Sequence, residues 1–281
     1  MEGVDELAAL ADLIGDGHVV VLSGAGLSTE SGIPDYRGPS GAARRATPMT
    51  VQTFTGSLAA RRRYWARSHV GWRLIAKAAP NDGHRAVAAL EAQGLLAGIV
   101  TQNVDGLQQA AGAQDVLELH GSLDRVVCLD CGELTARTQL DGRLTAANRG
   151  WRAQATSINP DGDVELSDEA LEGFRVVDCL PCGGVLKPDV VFFGETVPRE
   201  RVDSAFAMVE AAGSLLVLGS SLTVMSGYRF VLRAAKLGVP VAIVNDGPTR
   251  GDAQAALKVD GRLGDLLPEL VGQLDRAPAG R

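Results

Sequence analysis

The sequence has no hydrophobic run approaching the roughly 20 apolar residues that cross a membrane, and it has no excess of basic side chains. Its 34 acidic and 27 basic residues give a formal net charge of −7, which disfavours a protein that binds nucleic acid mainly through phosphates. Residues 1–6 also lack the basic start of a secretory signal peptide. We therefore expect a cytoplasmic protein that contacts neither membranes nor nucleic acids.

Cysteine is scarce as well. The chain has four, and all of them lie in two C-x-x-C pairs, Cys128 with Cys131 and Cys179 with Cys182. Two such pairs can supply the four thiolates of one tetrahedral zinc site. The alternatives are a redox disulfide in each pair, or thiols that only pack. Because a cytosolic chain with no further cysteine favours the metal, we predict one structural Zn²⁺ with no open coordination position.

Short apolar runs alternate with helical patterns along most of the chain. The predicted strands are 18–23, 98–101, 116–119, 215–218 and 239–244, and the predicted helices are 5–16, 82–93, 104–111, 199–212 and 225–237. Continuous apolar runs bounded by glycine or proline are typical of strands that are covered on both faces of a parallel sheet. Their alternation with helices predicts an α/β fold, a Rossmann-like doubly wound parallel sheet.

Two regions interrupt this alternation. Residues 39–79 carry clusters of arginine and alanine, and we interpret them as a helical flap. Residues 122–189 contain the cysteines, several turn sequences and little continuous apolar sequence, so a metal is expected to stabilise them. We predict a Rossmann-like domain formed by 1–121 and 190–281, with 122–189 inserted as a small zinc-binding module.

A glycine-rich turn follows the first predicted strand. Gly24 and Gly26 come directly after the apolar run 18–22. This is how a strand can turn sharply into a helix and leave backbone N–H groups for a phosphate. The glycine spacing matches neither of the two common nucleotide-binding fingerprints, so the turn alone is weak evidence for a nucleotide site.

Polar residues follow the predicted strands at their carboxyl ends, where a doubly wound sheet holds its ligand. They are Gln102, Asn103 and Asp105 after the second strand, His120 after the third, Ser220 and Ser221 after the fourth, and Asn245, Asp246 and Gly247 after the fifth. Taken singly, each has an ordinary structural explanation such as a cap or a turn. Together they predict one crevice lined by amides, hydroxyls, a carboxylate and an imidazole.

These segments together resemble the sirtuin family of NAD-dependent protein lysine deacylases, and most closely its class II. The matching stretches occur in the family's order at 24–28, 32–37, 101–105, 119–121, 186–195 and 219–222, with both cysteine pairs in place. An ordered set of this kind is highly specific. The resemblance implies a Rossmann-like NAD-binding domain and one structural zinc ion.

The resemblance implies a role for each matching position. The turn that binds the phosphates of NAD would contain Gly24, Ala25, Gly26, Ser28 and Glu30. A loop that covers the nicotinamide pocket would contain Ile33, Asp35, Tyr36 and Arg37. Gln102, Asn103 and Asp105 would surround the nicotinamide ribose, and Gly219, Ser220, Ser221, Asn245, Asp246, Gly247 and Leu263 would hold the adenosine half. The substrate peptide would add as a strand to the backbone of Val191, Phe193, Gly194 and Glu195. His120 would be the general base.

The implied reaction transfers an acyl group from a lysine of a protein substrate to the ADP-ribose part of NAD. The amide oxygen of the acyl-lysine displaces nicotinamide, and a histidine then deprotonates a ribose hydroxyl that attacks the resulting intermediate. Imidazole suits this step because its pKa of about 6.5 lies close to physiological pH. We therefore predict a protein deacetylase.

Other functions are open at the level of the sequence. Tyr64 and Arg67 share one helix face, and desuccinylating sirtuins use a tyrosine and an arginine at this spacing to bind an acidic acyl group. We favour the interpretation in which Tyr64 packs and Arg67 is solvated. Longer or acidic acyl groups (succinyl, glutaryl, lipoyl) and protein mono-ADP-ribosyl transfer are the alternatives within the family. An NAD(P)-dependent oxidoreductase and a zinc-ribbon DNA-binding regulator are the alternatives outside it.

Overall fold

A computed structural model describes residues 2–35, 49–153 and 164–276 of the chain. Its helices are α1 (Glu2–Gly15), α2 (Val51–Gly56), α3 (Leu58–Ile75), α4 (Asp82–Ala92), α5 (Leu107–Ala110), α6 (Arg137–Ala147), α7 (Asp168–Leu171), α8 (Arg199–Ala211), α9 (Met225–Leu237) and α10 (Leu263–Arg276). Its strands are β1 (Val19–Ser23), β2 (Leu96–Thr101), β3 (Val116–Glu118), β4 (Gly121–Cys128), β5 (Leu134–Ala136), β6 (Leu186–Val190), β7 (Ser214–Leu218), β8 (Val241–Asn245) and β9 (Leu257–Asp260).

Six of these strands form one parallel sheet in the order β3-β2-β1-β7-β8-β9. If the six strands of this sheet are numbered 1 to 6 along the chain, their order is 3-2-1-4-5-6, which is the order of the doubly wound dinucleotide-binding fold. The predicted α/β fold class is therefore confirmed. The strand order reverses at β1, so the loops after β1 and β7 leave toward opposite faces of the sheet. A crevice therefore opens at the carboxyl ends of these two strands.

The central strand β1 is buried on both faces. Val19 and Val21 pack into the hydrophobic cluster on one side of the sheet, and Val20 and Leu22 pack into the cluster on the other side. Because neighbouring side chains of a strand point to opposite faces, one apolar run serves two cores. Helices α1, α4 and α10 supply the first cluster, and α8 and α9 supply the second.

The other three strands form a small antiparallel sheet in the order β5-β4-β6. Helices α2 and α3 pack against it through a third hydrophobic cluster, which includes Phe54, Trp65 and Phe192. These two helices occupy the described part of the predicted flap at 39–79, whereas residues 36–48 lie outside the described residues. The boundaries of the predicted domains stay a prediction.

Gly121 forms the corner at which the chain passes from the large sheet to the small one. Its φ of 83° lies in the left-handed region, and a Cβ at this position would lie 2.0 Å from the carbonyl oxygen of Asp189. Only glycine can therefore follow His120 without moving the backbone of β6.

The structure departs from the predicted elements in several places. The helix expected at 104–111 is shortened to α5, because Gly106 has a left-handed φ of 73° and the Asp105 carboxylate accepts the Leu107 N–H at 2.9 Å. The predicted elements do not include α6, α7 and α10, the three strands β4, β5 and β6 of the small sheet, or the edge strand β9. Pro268 lies inside α10, where proline ordinarily argues against a helix, and β9 has only four residues. Among the described helices, none combines the length and the apolar character that crossing a membrane requires.

Candidate active site

The turns after β1 and β7 touch each other through their backbones. The Gly24 N–H donates to the Leu218 carbonyl at 2.9 Å, and the Gly26 N–H donates to the Gly219 carbonyl at 2.8 Å. A Cβ on Gly24 would lie 2.7 Å from the Cβ of Ser220, and one on Gly26 would lie 2.8 Å from the oxygen of Gly219. The facing turn therefore excludes side chains from both glycine positions.

This contact bears on the expectation that the glycine-rich turn leaves backbone N–H groups for a phosphate, which stays a prediction. The N–H groups of Gly24 and Gly26 are already bonded to the neighbouring turn. The two glycines thus allow a close approach of two backbones and do not offer these donors to a ligand. Ala25 lies between them and begins a short 3-10 turn, Ala25–Leu27.

Gln102 connects the end of β2 to both of these turns. Its N–H donates to the Ser23 carbonyl at 3.0 Å, and its side-chain Nε2 donates to the Ser220 hydroxyl at 2.8 Å. Its carbonyl oxygen lies 2.9 Å from Nδ1 of His120. One residue therefore places the imidazole relative to the carboxyl ends of β1 and β7.

His120 follows β3 and lies half-buried in the crevice. Because the Gln102 carbonyl can only accept a hydrogen bond, Nδ1 carries the ring proton, and the lone pair of the neutral ring lies on Nε2, 2.8 Å from Ser226 Oγ. Burial lowers the pKa of His120; the hydrogen bond to Gln102 opposes this shift, and the Arg229 and Arg201 charges add to it. The ring is therefore neutral at physiological pH and able to accept a proton.

A second network surrounds the carboxylate of Asp105. The Ser28 hydroxyl donates to Asp105 Oδ2 at 2.7 Å and accepts from Asn103 Nδ2 at 3.1 Å. Asn103 Nδ2 also donates to the Gly24 carbonyl at 3.0 Å. Burial raises the pKa of Asp105, and hydrogen bonds from the Leu107 N–H and the Ser28 hydroxyl oppose the rise. The sequence-predicted Ser28, Asn103 and Asp105 thus lie together at one side of the crevice.

Sequence reasoning missed the residues behind this network, Asn81 and His84. His84 Nε2 lies 3.4 Å from Ser28 Oγ, and its Nδ1 lies 3.0 Å from Asn81 Oδ1. Burial, with a smaller effect of Arg85, lowers the pKa of His84 to about 4, so this ring is neutral as well. Asn81 is recognisable as the N-cap of α4, but no local pattern predicts the contact with Ser28.

Two residues assigned to NAD are bonded to neighbours within the chain. The Glu30 carboxylate pairs with Arg262, whose Nη2 lies 2.8 Å from Oε1. The Ser221 hydroxyl lies 3.1 Å from Thr223 Oγ1 in the turn after β7. Both side chains lie close to the two glycine turns in sequence, but their present partners are protein groups.

The predicted nicotinamide loop is described only at its beginning. Ile33 is 5% exposed and packs into the hydrophobic cluster of the small sheet. Asp35 is half-buried. Tyr36 and Arg37 lie outside the described residues.

The residues expected at the adenosine half lie after β8 and at the start of α10. Asn245 Nδ2 donates to the carbonyls of Gly247 at 2.9 Å and of Asp246 at 3.2 Å, and the Gly247 N–H donates to Asp260 at 2.9 Å. These bonds hold the turn in one conformation. Leu263 packs into the core below the sheet, so its side chain serves the fold.

The segment expected to bind the substrate peptide runs past His120. The Val191 N–H donates to the His120 carbonyl at 2.8 Å, and the Phe193 carbonyl accepts the Val51 N–H at 3.1 Å. Gly194 has a φ of 76° and turns the segment. Part of the backbone edge that the resemblance assigns to the peptide is therefore already bonded within the chain.

Glu195 closes this segment into a turn. Its Oε2 accepts the Phe192 N–H at 2.8 Å and lies 3.0 Å from the ammonium of Lys187. Lys187 is buried, and its ammonium also lies 4.6 Å from the centre of the Phe192 ring. A buried charge needs such a partner, so the pair fixes the segment beside His120.

The environments of Tyr64 and Arg67 bear on the choice of acyl group. Tyr64 is 1% exposed, and its ring packs edge-on against Phe54 with the centres 5.4 Å apart. Arg67 is also buried; its Nε donates to the Val164 carbonyl at 2.6 Å, and its guanidinium pairs with Glu165. The expected packing of Tyr64 agrees with the structure. The expectation that Arg67 is solvated is wrong, because its charge is paired within the chain.

The four cysteines meet beside the small sheet, with every Sγ within 4.8 Å of the others. The Sγ atoms of Cys128 and Cys182 are 3.5 Å apart, and those of Cys131 and Cys179 are 3.8 Å apart. Four thiolates at about 2.3 Å from one Zn²⁺ lie about 3.8 Å from one another, whereas disulfide sulfurs lie about 2.05 Å apart. The cluster therefore fits one structural zinc ion.

The sequence matches one known protein family and is similar to individual proteins named as deacetylases. A model of the Sir2 family matches residues 24–226. NAD-dependent protein deacetylase 1 of Streptomyces coelicolor is 60% identical over 272 residues, which cover 97% of this chain and 91% of that protein. The protein of the same name from Mycobacterium avium is 49% identical over 281 residues, which cover 98% of each.

Solved structures of Sir2 proteins have the same backbone fold as this chain. One, from work on the mechanism and regulation of Sir2 enzymes, is 31% identical, with a TM-score of 0.75 over 98% of this chain and 99% of the other. A complex of Sir2 with a p53 peptide and NAD⁺ is 28% identical, with a TM-score of 0.76 over 94% of this chain and 97% of the other. The likeness covers both sheets and nearly the whole length.

Removing one zinc ligand tests the metal site. We expect the wild-type chain to bind one equivalent of Zn²⁺ and Cys128→Ser to bind much less, because three thiolates do not complete the tetrahedron. The free energy of unfolding should fall by about 3 kcal/mol, which corresponds to a melting temperature lower by about 6–12 °C. Elemental analysis and thermal unfolding measure both quantities.

Leu180→Ser is the matched control, since Leu180 lies between the cysteines of the second pair and is 78% exposed. This variant places the same new side chain in a knuckle without removing a ligand, and it should keep its zinc. A Cys128→Ser protein with a full equivalent of zinc and the wild-type melting temperature would contradict the site.

Proposed function

This chain belongs to the Sir2 family, and we propose that it acts as an NAD-dependent protein deacetylase in the crevice at the carboxyl ends of β1, β2 and β7. Relatives that span nearly all of the chain at 49–60% identity carry this activity in their names. The substrate is an acetylated lysine of a protein, and NAD is the second substrate. This assignment replaces the oxidoreductase alternative.

The observation that best supports His120 as the base is the state of its ring. The Gln102 carbonyl fixes the proton on Nδ1, and burial together with two nearby arginines keeps the ring neutral. A neutral imidazole with its lone pair on Nε2, in a cleft, is what general-base catalysis requires. We assign Nε2 as the atom that takes the proton of a ribose hydroxyl.

The residues that line the crevice fit NAD by their chemistry. A dinucleotide in this fold lies across the point where the strand order reverses, which here is the contact between the two glycine turns. The enclosed carboxylate of Asp105 can accept the carboxamide N–H₂ of nicotinamide. When bound, NAD supplies the ribose that receives the acetyl group after nicotinamide has left.

The segment at 190–195 is the proposed docking edge for the substrate peptide. Its hydrogen bond to the His120 carbonyl keeps it beside the base, and the pair formed by Lys187 and Glu195 holds its turn. An acetylated lysine can enter an apolar passage, whereas a free ammonium would lose its hydration without compensation. The modified side chain is therefore selected over the unmodified one.

We further propose that the preferred acyl group is neutral. The guanidinium of Arg67 is buried and bonded to Glu165 and to the Val164 carbonyl. An acyl carboxylate that used this arginine would have to displace an intramolecular partner of the same charge. Acetyl needs no such exchange.

Replacing the base tests the catalytic assignment. His120→Ala should lower the rate of deacetylation of an acetyl-lysine peptide by about 10²- to 10⁴-fold. Zinc content and melting temperature should stay at the wild-type values. Mass spectrometry of nicotinamide and acylated ADP-ribose measures the reaction, and an ADP-ribosylated peptide in its place would indicate the transferase alternative.

His18→Asn is the control for this variant. His18 is exposed at the amino end of β1, on the opposite edge of the sheet, and asparagine tolerates its positive φ of 55°. This substitution should leave deacetylation unchanged. Wild-type rates in His120→Ala would refute the histidine as the base.

Acyl preference can be measured with matched peptides. We expect kcat/KM for acetyl-lysine to exceed that for succinyl- or glutaryl-lysine at least about tenfold, because an acidic acyl group would have to displace the partners of Arg67. Arg67→Gln should leave this ratio unchanged, as should the control Arg63→Gln on the exposed face of α3. Efficient desuccinylation that is lost in Arg67→Gln alone would contradict the neutral-acyl proposal.

A further inference from the structure

We propose that Ser226 is a positioning residue for His120, whose hydroxyl holds the imidazole in the orientation in which Nε2 faces the reacting sugar. Ser226 Oγ lies 2.8 Å from His120 Nε2. The two residues are 106 positions apart, and no motif in the sequence points to this serine. The inference rests on the proposed function, because it takes His120 as the base.

Two hydrogen bonds hold the ring from opposite flanks. Nδ1–H donates to the Gln102 carbonyl at 2.9 Å, and the Ser226 hydroxyl donates to Nε2. A ring turned by half a rotation about the Cβ–Cγ bond would present carbon atoms to both partners. The pair of bonds therefore selects one ring orientation, whereas the Gln102 bond alone leaves the ring free to tilt about Nδ1.

The first turn of α9 is placed firmly against the same strand end. A Cβ on Gly227 would lie 2.4 Å from Gln102 Oε1, so the helix backbone packs directly on the residue that holds Nδ1. The next residue, Tyr228, is buried and its hydroxyl donates to Gln254 at 3.0 Å. Ser226 thus has a fixed backbone, and the rotation of its side chain is its main freedom.

Within the described parts of the chain, the charged groups that shift the pKa of the ring are cationic. Arg229 comes from α9 and Arg201 from α8, and Arg201 is paired with Asp189 of β6 at 3.2 Å. Both arginines disfavour an imidazolium ion. The ring that awaits substrate is therefore the neutral one, to which the Ser226 hydroxyl can donate.

The position of the hydroxyl also indicates how it gives way to substrate. The Ser226 hydroxyl donates to the lone pair of Nε2, and the ribose hydroxyl must donate to the same lone pair before it is deprotonated. The serine therefore occupies the position that the ribose hydroxyl takes. A serine side chain has three staggered rotamers, so when the sugar arrives Oγ can turn from Nε2 to the oxygen of the sugar hydroxyl, where its hydrogen bond holds that hydroxyl against Nε2. The ribose proton then passes to Nε2, and Ser226 keeps its own proton.

The variant Ser226→Ala separates this role from a merely structural one. Deacetylation should fall about three- to tenfold, the effect of one lost neutral hydrogen bond. Exchange of labelled nicotinamide into NAD should stay at the wild-type rate, because nicotinamide leaves before the base acts. Ser226→Thr, which keeps a hydroxyl, should restore deacetylation.

A measurement without substrates tests the same contact. In ¹⁵N NMR of the ligand-free protein, the Nε2 resonance of His120 should shift in Ser226→Ala. It should not shift in Ser204→Ala, which removes a hydroxyl from the exposed face of α8. Equal losses of exchange and deacetylation, unchanged deacetylation or an unmoved resonance would each overturn the proposal. A wild-type protein that releases no nicotinamide would instead contradict the proposed function, and the NMR result would still decide the role of Ser226.

Discussion

The backbone contact between the turns after β1 and β7 sets the geometry of the whole crevice. Gly26 donates to Gly219 across this contact, and neither position tolerates a Cβ. Gln102 bridges the same two turns through Ser23 and Ser220. The two strand ends and the residue that orients His120 are therefore joined by hydrogen bonds into one unit at the crevice.

The proposed base, His120, is oriented by a backbone carbonyl and not by a carboxylate. In hydrolase triads a carboxylate holds the histidine and stabilises its charged form. Here the Gln102 carbonyl fixes the same nitrogen, while burial, Arg201 and Arg229 lower the pKa of His120. The imidazole is thus kept as a neutral acceptor. This state suits the proposed step, in which it takes a proton from a ribose hydroxyl after nicotinamide has left.

Local patterns in the sequence predict much of this molecule. Apolar runs identify five of the strands of the parallel sheet, and cysteine spacing predicts the cluster of four thiols that fits one zinc ion. Contacts between distant residues are beyond such patterns. The pairing of Arg67 with Glu165 spans 98 positions and that of His120 with Ser226 spans 106. The glycines after β1 likewise predict a turn, but not that their N–H groups face a second turn.

A crystal structure with NAD and an acetyl-lysine peptide tests the central claim, that one crevice at the strand ends holds the dinucleotide and presents it to His120. The account predicts the pyrophosphate beside the contact between the glycine turns, and a ribose hydroxyl in hydrogen-bonding distance of Nε2 with Ser226 Oγ turned from Nε2 to that hydroxyl. NAD bound elsewhere, or a sugar out of reach of Nε2, would contradict it.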